Sequence, residues 1–315
     1  MRVRSSEFGI FIPRLRTFLS FRSCDLSRFH TILLFNMILI IPSAGLGTRM
    51  KKAAQGVPKE LLPVGDRPAI EYAVDEGISA GIENIVIVIS KDKEVIKEHF
   101  KNFQGPASIS FLYQKELLGE SDAISYAKEA AAGHAVAVIY PDNIYLPAPG
   151  ALKRLMAVYS RYNTDMIALN EVTEEISHGL SNSGRVDVSH MQDDVFRIKN
   201  FYDKTRERFV LRQKTELRAC GIYISGPFIF DYIERSRRVI HDGELTDITV
   251  RKMILEDKGM LGCKLPGQVF DIGSPVGYKQ CVEYISKYPG REKRFKSALD
   301  KVNKAHRKTL KKLSG

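Results

Sequence analysis

One connecting segment, PSAGLGTRMKKAAQGVPKELLPVGDRP at residues 42 to 68, gathers two glycines, an arginine and a Pro-Lys pair. Gly45 and Gly47 allow tight turning and let backbone N–H groups approach a phosphate closely. Arg49 adds a planar cationic fork suited to paired phosphate oxygens, and Lys59 brings a second cation to the same segment. The chemistry this predicts is the holding of a polyanion. A dinucleotide fingerprint would need a third glycine where the run reads G-L-G-T-R-M, and a P-loop would need G-K-[ST], which is missing. The Pro58-Lys59-Glu60-Leu61-Leu62-Pro63 run, opening eleven residues beyond the second glycine, makes the pattern far more specific than G-x-G alone.

Elements of regular alternation must carry this segment. MILIIP reads as a buried strand, PAIEYAVDEGISAG as a helix closed by Gly81, IENIVIVIS and SISFLYQ as strands two and three, SDAISYAKEAAAG as a helix with Ser121 as N-cap and Gly133 as its stop, and HAVAVIYPD as a fourth strand. Apolar strands separated by helix-length segments predict an α/β fold, a Rossmann-like three-layer sandwich whose mostly parallel sheet is covered on both faces. In such sheets ligands sit beyond the carboxyl ends of the strands, where both the glycine segment and Tyr140-Pro141-Asp142-Asn143 fall.

With 315 residues, 44% hydrophobic and 27% charged, the chain can bury a sizeable core. Its net charge of +11 is uneven: residues 1 to 36 carry six Arg against two acids, residues 286 to 315 carry eleven Lys or Arg against two acids, and residues 37 to 285 come to −2. The basicity therefore belongs to the ends, which argues against nucleic acid as the partner of the central region. The last 30 residues are either a basic helix on an anionic surface or a solvated tail. Residues 1 to 36, rich in Arg and Ser and poor in acids, fit a targeting segment or an upstream start ahead of Met37; the second reading is adopted and the segment set aside. TILLFNMILII is too short for a membrane helix and Asn36 interrupts it, so no transmembrane span is expected. Cys24, Cys220, Cys263 and Cys281 show no C-x-x-C spacing, which fits a reducing compartment and inert thiols.

SAGLGTR followed by PKELLPVGDRP, then YPDN, GELTDIT and FDIGSPVGYKQCVEYI, resemble in order and spacing the sugar-1-phosphate nucleotidyltransferase family, most closely the bacterial glucose-1-phosphate uridylyltransferases and then the thymidylyltransferases. The resemblance covers residues 37 to 285, flanked by the extension 1–36 and the tail 286–315, and implies a nucleotidyltransferase (GT-A-like) architecture. It implies attack of a sugar 1-phosphate on the α-phosphorus of a nucleoside triphosphate, UTP or dTTP with glucose 1-phosphate being the favoured pair, to give a nucleotide sugar and pyrophosphate. Ala44, Gly45, Gly47, Thr48 and Arg49 would hold the triphosphate, Gln114 and Gly119 the base, and Gly184, Asp203, Lys204 and Glu244 the sugar. Arg49, Lys59 and Lys204 would neutralise the reacting phosphates, and Asp142 and Asp271 would share one Mg2+. A homo-oligomer in the cytoplasm is the further implication.

Each assignment has a plainer counterpart. Strand-end aspartates serve as caps and turn formers, and Gly119 and Gly184 as turns. The chain also departs from the family: Lys52, Ala54 and Gln55 stand where Pro, Thr and Lys are usual, and the V-E-K-P segment becomes F-Y-D-K-T. These changes bear on rate and on substrate identity. The alternative class, an inactive or regulatory nucleotide-sugar-binding relative, would have lost a metal carboxylate or a charge clamp, whereas Arg49, Lys59, Asp142 and Asp271 are all retained.

Overall fold

Runs rich in Ile and Val favour strands that are buried on both faces. In the computed structural model, which describes residues 36–287 apart from 51–53, 55, 206, 241 and 242, four such runs form strands at the expected places. They are Ile38–Pro42 (β1), Asn84–Ile89 (β2), Ser108–Tyr113 (β3) and Val136–Ile139 (β4). Further strands are Asn143–Leu146 (β5), Met166–Val172 (β6), Val186–Gln192 (β7), Val195–Phe201 (β8), Glu216–Ser225 (β9), Leu261–Lys264 (β10) and Gln268–Asp271 (β11), and the two-residue strands Pro63–Val64 and Arg67–Pro68 pair with each other. The extension up to residue 35 with Cys24, the loop residues Lys52 and Gln55, and the tail beyond residue 287 lie outside the described residues.

Nine strands form one sheet among the described residues, in the order β3-β2-β1-β4-β9-β6-β10-β8-β7. The half that leads into the glycine segment, β3 to β4, is parallel throughout. Beyond it β6 and β10 are also parallel, and antiparallel pairing joins β9, β8 and β7 to their neighbours. The pleat sends alternate side chains of β1 to opposite layers. Leu39 and Ile41 enter one core and Ile38 and Ile40 the other, so the sheet is covered on both faces as the pattern predicts. Each fully buried aliphatic of this kind contributes about 1.5–3 kcal/mol.

Helix α1, Ala69–Ser79, packs in the first core and ends at Gly81 with φ +84°, the Ile82 N–H returning 3.0 Å to the Gly77 carbonyl. The next helical stretch differs from expectation. It begins at Glu120 with Gly119 as N-cap, and it divides into α2, Glu120–Ser125, and α3, Lys128–Ala131. Ser121 is not the cap because it is buried and its N–H is taken by the Leu245 carbonyl at 3.0 Å. Ser125 Oγ bonds back to the Asp122 carbonyl at 2.7 Å, a local competitor of the helix ladder where the two halves separate. The Gly133 stop holds: Ala132 is left-handed and Gly133 follows at φ +78°.

Helix α4, Ala151–Tyr162, joins α1 in the first core, while α5, Ile229–Val239, and α6, Asp247–Lys258, cover the second. A separate antiparallel ladder, β5 with β11, sets Asn143 opposite Asp271. Its apolar residues Ile144, Leu146 and Phe270 rest on Cys281 and Ile285 of the last helix, α7, Pro275–Ser286. Cys220, Cys263 and Cys281 are free and buried; burial pushes the thiols of Cys220 and Cys281 up to about 12 and that of Cys263 up to about 11, leaving them inert. No helix among the described residues is long and apolar enough to cross a membrane.

Helix α7 also touches the chemistry directly. Ser274 caps it by accepting from the Gly277 N–H at 3.1 Å, and a Cβ on Gly277 would overlap the Asp271 carbonyl oxygen. Gly277→Ala is therefore expected to push α7 away from the end of β11, costing about 1–3 kcal/mol in urea denaturation, as for other overpacked sites. An unchanged midpoint would show that the helix yields without disturbing Asp271.

Candidate active site

The glycine segment leaves β1 with its register intact for one more residue, the Ser43 N–H reaching the Val88 carbonyl at 2.7 Å. It then turns through Gly47, whose φ of +59° suits glycine. A Cβ on Gly45 would meet nothing within 4 Å, so its backbone faces open space. Behind the segment, Lys93 Nζ donates to the Ser43 carbonyl at 2.8 Å and to both Glu60 carboxylate oxygens at 2.9 and 3.0 Å. This buried pair ties the glycine segment to the 3-10 turn Lys59–Leu61 that presents Lys59. Burial lowers the Lys93 pKa while Glu60 opposes the shift.

Asp142 and Asp271 arrive from different strands and are brought together by the β5–β11 ladder, which the Ile272 N–H extends with a 2.9 Å bond to the Asp142 carbonyl. Asp142 Oδ2 accepts from Lys59 Nζ at 2.5 Å, and Oδ1 accepts from Asn143 Nδ2 at 2.9 Å. Asp271 Oδ1 accepts from the Gly273 N–H and Oδ2 from Ser181 Oγ, both at 2.9 Å, with Arg49 Nη1 3.9 Å from Oδ2. Burial alone would raise the Asp142 carboxyl, but the Lys59 ammonium and its hydrogen bond, with Arg49 and the Asn143 amide, hold it down at about 2. The same pair works the other way on Lys59: burial disfavours its charge, and Asp142 overrides this and raises its pKa.

A gap lies between these groups. A Cβ built on Gly273 would stand 2.9 Å from Arg49 Nη2, 2.9 Å from Asp271 Oδ1 and 3.0 Å from Asp142 Oδ2. Both carboxylates thus face one small space that a side chain would fill. No group of three or more His, Cys, Asp or Glu able to hold a metal occurs among the described residues, so protein would supply two carboxylates and other ligands the rest.

Of the residues singled out from the sequence, Ala44, Gly45, Gly47, Thr48, Arg49, Lys59, Gln114, Gly119, Asp142, Gly184, Lys204, Glu244 and Asp271 line this one cleft. Asp203 does not: its side chain is 80% exposed and accepts from Lys252 Nζ at 2.7 Å. Gln114 spends its amide hydrogens inside the protein, on the Gly119 carbonyl at 3.1 Å and Asp122 Oδ2 at 2.7 Å, which leaves only Oε1 for a ligand. Gly119 has φ +117° and passes so near Leu245 that a Cβ would lie 2.7 Å from its carbonyl oxygen. Gly184 runs equally close to β9, where a Cβ would overlap the Ala219 carbonyl oxygen.

Sequence reasoning passed over Glu120, Asn143, Ser181, Ser183, Arg218, Asp247 and Arg251, all in the cleft wall. Asn143 and Asp247 stood inside the quoted YPDN and GELTDIT segments. Arg218 had its own signal, a lone arginine in the apolar run ELRACGIYIS. Nothing in their local sequence marks the two serines, which meet Asp271 and Arg218 respectively only through the fold.

A model of the nucleotidyl transferase family matches residues 38–287. The chain is 32% identical over 274 residues to a UTP–glucose-1-phosphate uridylyltransferase of Staphylococcus haemolyticus, spanning 79% of this chain and 92% of the relative. It is 30% identical over 288 residues to the protein of that name from Staphylococcus epidermidis, spanning 84% and 97%. A solved structure of UDP-glucose pyrophosphorylase complexed with UDP-glucose superposes with a TM-score of 0.67 at 26% identity, covering 80% of this chain and 98% of that one. Across the span that carries Asp142, Asp271, Arg49 and Lys59, the chain belongs to the nucleotidyl transferase family.

Proposed function

We propose that the cleft joins UTP, with dTTP as the next choice of triphosphate, to glucose 1-phosphate. A phosphate oxygen of the sugar 1-phosphate attacks the α-phosphorus, the bond from that phosphorus to the bridging oxygen breaks, and pyrophosphate leaves with the electron pair. The observation that carries this reading is the convergence of Asp142, Asp271 and Arg49 on the space beside Gly273, with Lys59 bonded to one of the carboxylates. The names borne by the relatives favour UTP and glucose over other pairs.

The protein's task in such a transfer is positioning and charge compensation. The amides from Ala44 to Thr48 and the Arg49 fork hold the triphosphate, Gln114 and Gly119 border the base, and Gly184, Lys204 and Glu244 border the sugar. Asp203, paired with Lys252 outside the cleft, has no ligand role in this reading. Lys59 stands where the two substrates meet. Its ammonium gains most from the charge that develops during transfer, and Asp142 keeps it protonated across the working range.

The family generally works with a divalent metal. Asp142 and Asp271 fit one, because hard carboxylate oxygens from both face a gap that the absence of a side chain on Gly273 leaves open. Mg2+ held there would offset the charge that accumulates on the leaving pyrophosphate.

A screen of pyrophosphate release against five triphosphates and a panel of sugar 1-phosphates should give its highest rate with UTP and glucose 1-phosphate. A silent screen would remove the proposed function.

Asp271→Asn is the cleaner test of the carboxylate pair, since the amide can still accept from the Gly273 N–H and donate to Ser181 Oγ, whereas Asp142→Asn strips Lys59 of its partner. The expected loss is about two decades in rate with the urea midpoint preserved. Gly273→Ala should raise the metal concentration needed for half-maximal rate, because its methyl enters the gap; wild-type turnover in both variants would dismiss the metal assignment.

Arg49 and Lys59 should separate kinetically. Arg49→Lys loses the fork and is expected to weaken triphosphate binding. Lys59→Ala should lower kcat by about two decades with a smaller change in triphosphate affinity by calorimetry. Normal rates in Lys59→Ala would return that lysine to the role of a counter-ion for Asp142.

A further inference from the structure

Besides Arg251, which is paired with Asp247, the cleft wall holds Lys204 and Arg218, two cations in unlike surroundings. Lys204 lies among acids: Glu120, Glu244 and Asp247 share its part of the wall. Burial and then Asp247 raise the Glu120 carboxyl, and Lys204 is the cation that opposes this rise. Such a cluster offers carboxylate acceptors to sugar hydroxyls, and its lysine already has neighbours of opposite sign.

Arg218 has none. It belongs to β9, is 4% exposed and lines the cleft. Its Nε donates to the Ser183 carbonyl at 2.7 Å and its Nη2 to Ser183 Oγ at 3.3 Å, both neutral oxygens. Among the described residues no carboxylate forms an ion pair with it, and Nη1 has no protein partner. The nearby arginine Arg185, by contrast, is paired with Glu216. A buried guanidinium without a counter-ion costs stability, and that cost is recovered when an anion binds.

The position of that anion follows from the serines. Ser183 Oγ lies 2.9 Å from Ser181 Oγ, and Ser181 Oγ donates to Asp271 Oδ2 at 2.9 Å. Arg49 Nη1 is 3.9 Å from the same carboxylate oxygen. Asp271 Oδ2 therefore stands between Arg49 and a hydroxyl chain that ends on Arg218. An anion on Arg218 would share the cleft with the carboxylate pair and be linked to Asp271 through the two serine hydroxyls.

Resting on the transfer reading above, we infer that Arg218 is the binding residue for the phosphate of the acceptor, a dianionic phosphomonoester, and that Ser183 positions its fork. A planar fork with one free edge suits two oxygens of a phosphate and leaves a third to attack. The interaction exists before transfer and persists through it, so it acts chiefly on acceptor binding. Lys204 then serves the hydroxyl-binding cluster more than the phosphate.

Steady-state kinetics of Arg218→Ala, Arg218→Lys and Ser183→Ala would test the assignment. Arg218→Ala should raise the KM for the sugar 1-phosphate at least tenfold while the KM for the triphosphate stays within twofold. Arg218→Lys should recover part of the loss, and millimolar guanidinium should restore acceptor binding to Arg218→Ala alone. A merely structural arginine would raise both KM values together or leave both unchanged, and either outcome overturns the proposal. Binding without turnover is read separately: the Arg218 Nε–H resonance of the wild type, assigned by its absence from Arg218→Lys, should shift on titration with inorganic phosphate. No shift overturns the assignment whether or not transfer is found, whereas a silent substrate screen with the shift present removes only the proposed reaction.

Discussion

Two carboxylates that face one gap repel each other, and most of the cleft can be understood as the means of holding Asp142 and Asp271 in that relation. The repulsion is met on both sides. Each carboxylate receives two hydrogen bonds, from Lys59 and Asn143 on Asp142 and from Gly273 and Ser181 on Asp271. Arg49 adds positive charge near both. The low pKa of Asp142 records that attraction to Lys59 and Arg49 outweighs burial. Stability from this group is present above the ordinary carboxylate range and is lost as the pH falls toward 2.

Side-chain bonds alone would not keep the pair together if the backbones were free to part. The β5–β11 ladder removes that freedom, and the apolar underside of the ladder rests on α7, whose N-terminus closes on the Asp271 carbonyl through Gly277. The parallel half of the main sheet fixes the other components, since the glycine segment leaves β1 and Asp142 follows β4, its immediate neighbour. Sequence-distant groups thereby meet at one end of the sheet, as expected for a parallel array.

Much of this was legible in the chain itself. Apolar runs marked β1 to β4 because strands buried on both faces have no polar phase to confuse the reading. The glycine segment, Lys59 and the two strand-ending aspartates were legible by type and order. What escaped was set by contacts between remote segments. Ser121 looked like a cap, yet the Leu245 carbonyl claims its N–H. Asp203 stands where the resemblance puts a glutamate that would face the sugar, yet its carboxylate accepts from Lys252 outside the cleft. Ser181 bonds Asp271 across 90 residues of chain, a relation that no local pattern encodes.

The buried Lys93–Glu60 pair stiffens the cleft mechanically. It fastens the glycine segment and the Lys59 turn to each other from behind, so the donor wall cannot open as a flap of its own. A triphosphate held as proposed would meet a surface whose conformational entropy was surrendered during folding, and little further ordering would be required of it there. The part of the wall that holds Lys204 is braced as well, by the buried Arg251–Asp247 pair at 2.6 Å, and Ser183 meets Arg218 through both its backbone carbonyl and its hydroxyl. The cleft is therefore braced by buried charge pairs in more than one part of its wall before any ligand arrives.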